Sequence, residues 1–303
     1  MGKKLYTSHT PSGKMALFVD GLGRYSLKDT LECGQCFRFD RVEGEYADEY
    51  CGMAGEHFVH VAQQKAGELI FIGADERAYH DYLENYFALD VDWAELNAKI
   101  KASDDREIMQ TAAEMGAGIA ILRQDIWECL FSFIISQNNN IPRIKKNIKT
   151  VCALYGKRVD CDDSYACDDG SSHTFPSPDR VLSSPALLSS ARLGFRERYL
   201  LDAASRVSRG EIELSSLCHP AGFSEAQKQL CSICGVGEKV SSCVLLFGGG
   251  HLGAFPIDVW MKRAIDEYFD GELDASRFGE YAGLAQQYIF HYARNIDSKK
   301  DKK

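Results

Sequence analysis

A chain of 303 residues, 45% hydrophobic and 11% aromatic, is long enough for a substantial core in two or three packed units, and it holds no apolar run near the length of a membrane span. A formal net charge of -9 excludes a protein that coats nucleic acid by bulk electrostatics, because that mode needs an overall basic face. Eleven cysteines would suit a disulfide scaffold only in a small secreted chain; here most sit inside apolar helical patterns such as WECLF and TVCAL, so reduced thiols are expected.

The first residues, MGKKLYTSHTPSGKM, begin with a basic pair but have no apolar stretch behind it, so they do not read as a secretory signal. A cytoplasmic (nucleoid) location in a bacterium, or a nuclear one in a eukaryote, is expected. Alternating stretches FVHVAQQ and ELIFIGA, with the turn-rich DRVEGEYADEYCGMAGEH before them, predict antiparallel strands and a small β-rich domain over 1–103. After Asp104 the pattern becomes helical and stays so, predicting an α+β protein whose second domain, 104–297, is mostly α-helical, with a charged tail at 298–303.

Within that second domain, Ile126, Trp127, Leu130, Phe131, Ile134 and Ile135 follow an i, i+3, i+4 rhythm and predict a buried helix ending at Asn138-Asn139-Asn140. Another starts at once: Pro142 suits its first turn, Ile144, Ile148, Val151 and Tyr155 share a face, and Gly156 closes it. No acidic residue occurs from Cys129 to Arg158, while Arg143, Lys145, Lys146, Lys149, Lys157 and Arg158 do. On charge alone this basic patch reads as a solvated helix face. An acidic stretch rich in Ser, Gly and Pro, about 159–179, predicts a surface loop.

Ser224 and Gln227 form a capping-box pattern for a helix ending at Cys234, and Gly235-Val236-Gly237 gives a two-glycine hairpin before the next helix near Glu238. Cys231 and Cys234 make a CxxC with no second pair at metal-ligand spacing, and are read as packing residues. Glycines permit close backbone approach, and the N–H groups heading the second helix form an anion site suited to a DNA phosphate. Lys239 lies at the mouth of that helix, where it serves equally as a phosphate contact. Downstream, FPIDVW places Pro256 and Asp258 after a glycine loop, with Asp258 positioned as a helix N-cap. A lysine with a nearby carboxylate also suits attack on a sugar C1′, because the amine is the nucleophile and the developing oxocarbenium charge needs an anion.

The stretch LCSICGVGEKVSSCVLLFGGGHLGAFPIDVW resembles the helix-hairpin-helix, Gly/Pro-rich loop and aspartate signature of base-excision glycosylases. GQCFRF at Gly34 to Phe39, SQNNNIPRI at Ser136 to Ile144, LGFRERYL at Leu193 to Leu200 and GLAQQYIF near the C-terminus resemble the 8-oxoguanine DNA glycosylase branch. This resemblance implies a bifunctional enzyme, monomeric, acting on duplex DNA that contains 8-oxoguanine, with Lys239 as Schiff-base nucleophile and Asp258 as its carboxylate; excision is followed by β-elimination. The damaged nucleotide must leave the duplex. By the same resemblance Asn138 fills the vacated stack and Phe195 is the wedge beside the opposite base. Arg143 and Arg196 meet the orphaned cytosine, so 8-oxoguanine is expected to be removed preferentially opposite cytosine. The carbonyl of Gly34 accepts the hydrogen that N7 carries only in 8-oxoguanine.

The resemblance further places Cys243 and Phe290 against the two faces of the flipped base and Gln286 on its Watson-Crick edge, and assigns Gly235 and Gly237 to the phosphate-binding hairpin. The sequence departs from the pattern at Trp260, where better-known eukaryotic members have a phosphate-contacting histidine, and at Pro142, which replaces a small residue. The iron-sulfur branches of the superfamily need four cysteines after the aspartate, and no cysteine follows Cys243; no cofactor and no metal are expected. The rival from another class is a non-catalytic helix-hairpin-helix module that uses the hairpin and basic patch only to hold phosphates.

Overall fold

The computed structural model describes residues 2–161, 169–219 and 222–300. Positions 162–168 of the expected acidic loop and 301–303 of the expected tail lie outside the described residues. Six strands, β1 (Lys4–His9), β2 (Met15–Asp20), β3 (Phe39–Arg41), β4 (Asp48–Ala54), β5 (His57–Gln63) and β6 (Glu68–Ile72), form one antiparallel sheet in the order β1-β2-β6-β5-β4-β3. The period-2 alternation decides its faces. Leu17, Val19, Val59, Val61, Leu69 and Phe71 enter the main core, while Ala16, Ala62 and Ile70 form a small separate cluster.

Helices also occur upstream of Asp104. Ser26 caps α1 (Leu27–Glu32) by accepting from the Asp29 N–H, and α2 (Glu76–Ala78) and α3 (Glu84–Tyr86) flank a π-helical turn at Tyr79–Leu83. Asp92 caps α4 (Trp93–Ser103). The remaining α-helices are α5 (Glu107–Met115), α6 (Ile126–Ser136), α7 (Ile141–Tyr155), α8 (Pro178–Leu182), α9 (Arg196–Ser208), α10 (Phe223–Cys231), α11 (Glu238–Phe247), α12 (Val259–Tyr268) and α13 (Ala282–Lys300). One cluster of buried residues runs from Leu17 to Ala293, so sheet and helices share a core. No described helix is long and apolar enough to cross a membrane.

Two buried connections hold the GQCFRF segment against the helical part. Gln35 donates through Nε2 to the carbonyls of Thr30 (2.9 Å) and Ala120 (2.8 Å) and accepts the Leu122 N–H at 2.9 Å. Arg38 pairs with Glu128 of α6 at 3.3 Å. Burial raises the Glu128 carboxyl to about 7, against the opposing pull of Arg38. These contacts anchor the segment that Gly34 begins.

Two local expectations are corrected. The Ser224/Gln227 capping box does not form: α10 is capped at Gly222 without a side-chain bond and ends at Cys231, and Gln227 donates to Ser242 Oγ of α11 at 3.1 Å instead. Tertiary pairing has taken the side chain that the local pattern assigned to the cap. Cys231 and Cys234 are exposed thiols rather than packing residues, whereas Cys33, Cys36, Cys51, Cys129, Cys152 and Cys243 are buried.

Candidate active site

The hairpin follows directly from its glycines. Gly235 has φ +78, and a Cβ there would lie 2.3 Å from the Tyr199 ring, so both backbone conformation and close packing require glycine. The Cys234 N–H donates to Asp202 Oδ2 at 2.8 Å, tying the turn to α9. Gly237 is the exposed N-cap of α11, with no neighbour within 4 Å of a would-be Cβ. Gly235→Ala is therefore expected to cost roughly 1–3 kcal/mol of stability and to weaken duplex binding. Gly237→Ala should leave the melting temperature nearly unchanged. Thermal unfolding of the two variants checks the contrast, and equal behaviour would show that Tyr199 yields to the added methyl.

Lys239 and Cys243 lie one turn apart on α11, and both line a pocket with Gly34, Asp258, Gln286 and Phe290. The sequence-predicted nucleophile, carboxylate and base-contacting residues thus converge on one cavity. Lys239 Nζ sits 5.5 Å from the centre of the Phe133 ring. Asp258 is the N-cap of α12, its Oδ1 accepting the Met261 N–H at 2.8 Å. Among the described residues no ion pair of 4.0 Å or less joins it to Lys239. Both charges are felt at Cys243: burial, the largest effect, raises the thiol to about 11, Lys239 opposes the rise and Asp258 adds to it. Cys243 is consequently a neutral thiol at physiological pH.

The pocket also contains Pro256 of the FPIDVW segment and residues that the sequence leaves unmarked, namely Cys33, Phe133, Phe247 and Gln287. Phe133 lies off the apolar stripe that defines α6 and stacks on Phe247, with ring centres 5.5 Å apart. An aromatic outside the stripe of a helix is the available signal. Gln287 Nε2 donates to Gln286 Oε1 at 2.6 Å, and both amides are buried.

A second group of predicted residues lies at the turn after α6. Asn138 is exposed and has φ +47, a left-handed conformation uncommon outside glycine. Asn140 caps α7 by accepting the Arg143 N–H at 3.0 Å, and Arg143 is exposed. Arg196, by contrast, is buried at 4% exposure. Its guanidinium donates to the carbonyls of Gln137, Asn138 (2.8 Å) and Leu193 (3.2 Å), and it lies over the Phe195 ring at 4.5 Å. In this conformation Arg196 braces the asparagine turn.

Phe195 is 47% exposed and meets Tyr199 edge-on at 5.8 Å; Tyr199 is the ring beneath Gly235. Trp260 is exposed, with Arg263 5.6 Å from its ring, and its neighbours Ile257 and Val259 are exposed as well. The basic patch is partly neutralised within the protein: Lys145 and Lys149 pair with Asp40 at 3.3 and 2.7 Å. Among the described residues, no three His, Cys, Asp or Glu side chains are grouped to hold a metal ion.

A family model described as the N-terminal domain of 8-oxoguanine DNA glycosylase matches residues 21–130. The N-glycosylase/DNA lyase of Saccharomyces cerevisiae is 29% identical over 271 residues, spanning 83% of this chain and 69% of that protein. A structure of MBOgg1 in complex with a low affinity DNA ligand is 34% identical, with a TM-score of 0.85, covering 98% of this chain and 100% of that one. The 8-oxoguanine glycosylase/lyase of Clostridium acetobutylicum, in complex with double-stranded DNA containing cytosine opposite 8-oxoG, is 29% identical, with a TM-score of 0.83 and coverage of 97% and 98%.

Proposed function

The chain belongs to the 8-oxoguanine DNA glycosylase family, and on that premise we infer that it excises 8-oxoguanine from duplex DNA and then cleaves the strand as a lyase. The observation that carries this reading is the meeting of Lys239, Asp258 and the base-contacting residues in one pocket beside the hairpin. The hairpin N–H groups hold a backbone phosphate while the damaged nucleotide is extruded. The neutral Lys239 amine attacks C1′; the C1′–N9 bond breaks and its electron pair leaves with the base, which is protonated. Ring opening gives a Schiff base between Lys239 and C1′. Loss of a C2′ proton then expels the 3′ phosphate by β-elimination, and hydrolysis returns the lysine.

Asp258 lines the same pocket and supplies negative charge where the oxocarbenium character develops. Gly34 offers its carbonyl to the N7 hydrogen of 8-oxoguanine, Cys243 and Phe290 contact the base faces, and Gln286 meets the Watson-Crick edge. Asn138 and Phe195 occupy the space at the extruded nucleotide, and Trp260 lies along the DNA backbone. The enzyme acts where the DNA is, in the nucleoid of a bacterium or the nucleus of a eukaryote. Incision of an 8-oxoguanine duplex, with an undamaged duplex as control, tests the whole reading; binding without incision would favour the non-catalytic module.

Opposite-base preference falls to Arg143 and Arg196, of which Arg143 is the exposed one. Directed hydrogen bonds to a base edge are worth roughly 1–3 kcal/mol, so excision opposite cytosine should exceed that opposite adenine. Arg143→Ala should narrow this ratio while Schiff-base formation persists. Single-turnover rates on the two duplexes decide the matter: an unchanged ratio reduces Arg143 to a phosphate contact.

A further inference from the structure

Gln287 is 4% exposed and lines the pocket next to Gln286. Its Nε2 donates to Gln286 Oε1 at 2.6 Å, yet its own buried Oε1 has no hydrogen-bond partner among the described residues. A buried carbonyl left unpaired bears its full desolvation penalty, so such an atom in a ligand pocket marks the place of a missing donor. Gln286 Oε1 retains a second lone pair beside it. The two linked amides therefore present neighbouring acceptors to whatever base enters.

We propose that Gln287 is a specificity-determining residue whose Oε1 accepts a hydrogen from the 2-amino group of the flipped base, while Gln286 Oε1 accepts from N1–H. This rests on the reading of the pocket as the base site. A guanine-type edge carries these two donors side by side, whereas an adenine-type edge turns an acceptor, N1, toward a carbonyl. The pocket thus selects 8-oxopurines that bear a 2-amino group.

The test compares single-turnover excision of 8-oxoguanine and 8-oxohypoxanthine, which lacks only the 2-amino group, both opposite cytosine. Each rate is divided by the same preparation's incision of an abasic duplex, where there is no base to read. The unmodified enzyme should prefer 8-oxoguanine by roughly tenfold or more, and this comparison requires no variant. Gln287→Leu should bring the ratio close to one, and Gln287→Glu, which keeps an acceptor but loses the donor to Gln286, should retain the preference. No preference in the unmodified enzyme, an unchanged ratio in Gln287→Leu, or equal loss in both variants overturns the proposal. Abasic incision without excision of either base overturns the underlying assignment of the pocket.

Discussion

Lys239→Gln is expected to abolish the covalent adduct that borohydride traps between the enzyme and 8-oxoguanine DNA, and to lower excision by roughly a thousandfold or more, the scale on which loss of a nucleophile registers. Glutamine is a good helix former and reaches a similar distance, so α11 should persist. Lys239 Nζ lies 5.5 Å from the centre of the Phe133 ring, and the change removes that contact while leaving the rest of α11 in place. Damaged-duplex binding should therefore survive, since the hairpin backbone is untouched. Trapping by the variant would assign the Schiff base to another amine. Loss of trapping with excision intact would make water the nucleophile and remove the lyase step from the mechanism.

The pocket is largely legible in the sequence because its residues fall in short segments with a recognisable pattern: the hairpin gives Lys239 and Cys243, FPIDVW gives Asp258, and GLAQQYIF gives Gln286 and Phe290. What escapes depends on contacts between distant segments. Arg196 braces the Asn138 carbonyl across 58 positions, a pairing that no local pattern encodes, and Gln227 leaves its capping position for Ser242. Strand β1 is almost wholly exposed and lacks a buried alternate face, so it leaves no alternation to read. Helices α1, α2 and α3 of the N-terminal part are too short, as at Glu76–Ala78, to display a 3.6-residue period.

Asp258→Asn separates two roles that fall to one side chain. As the N-cap of α12, Asp258 accepts the Met261 N–H at 2.8 Å, and asparagine caps a helix about as well as aspartate. The variant should therefore melt close to the unmodified protein. It lacks the negative charge in the pocket that holds Lys239, and loss of preorganised charge stabilisation at a developing charge typically costs about 10² to 10³ in rate. Turnover should fall by that order while binding to the damaged duplex persists, because the charge acts on the transition state more than on the bound substrate. Asp258→Ala provides the complementary measurement: it removes both cap and charge, and should add about 1 kcal/mol of destabilisation to a similar loss of rate. If Asn supports full turnover while Ala does not, Asp258 serves catalysis only by shaping the start of α12, and the charge that assists Lys239 must come from elsewhere.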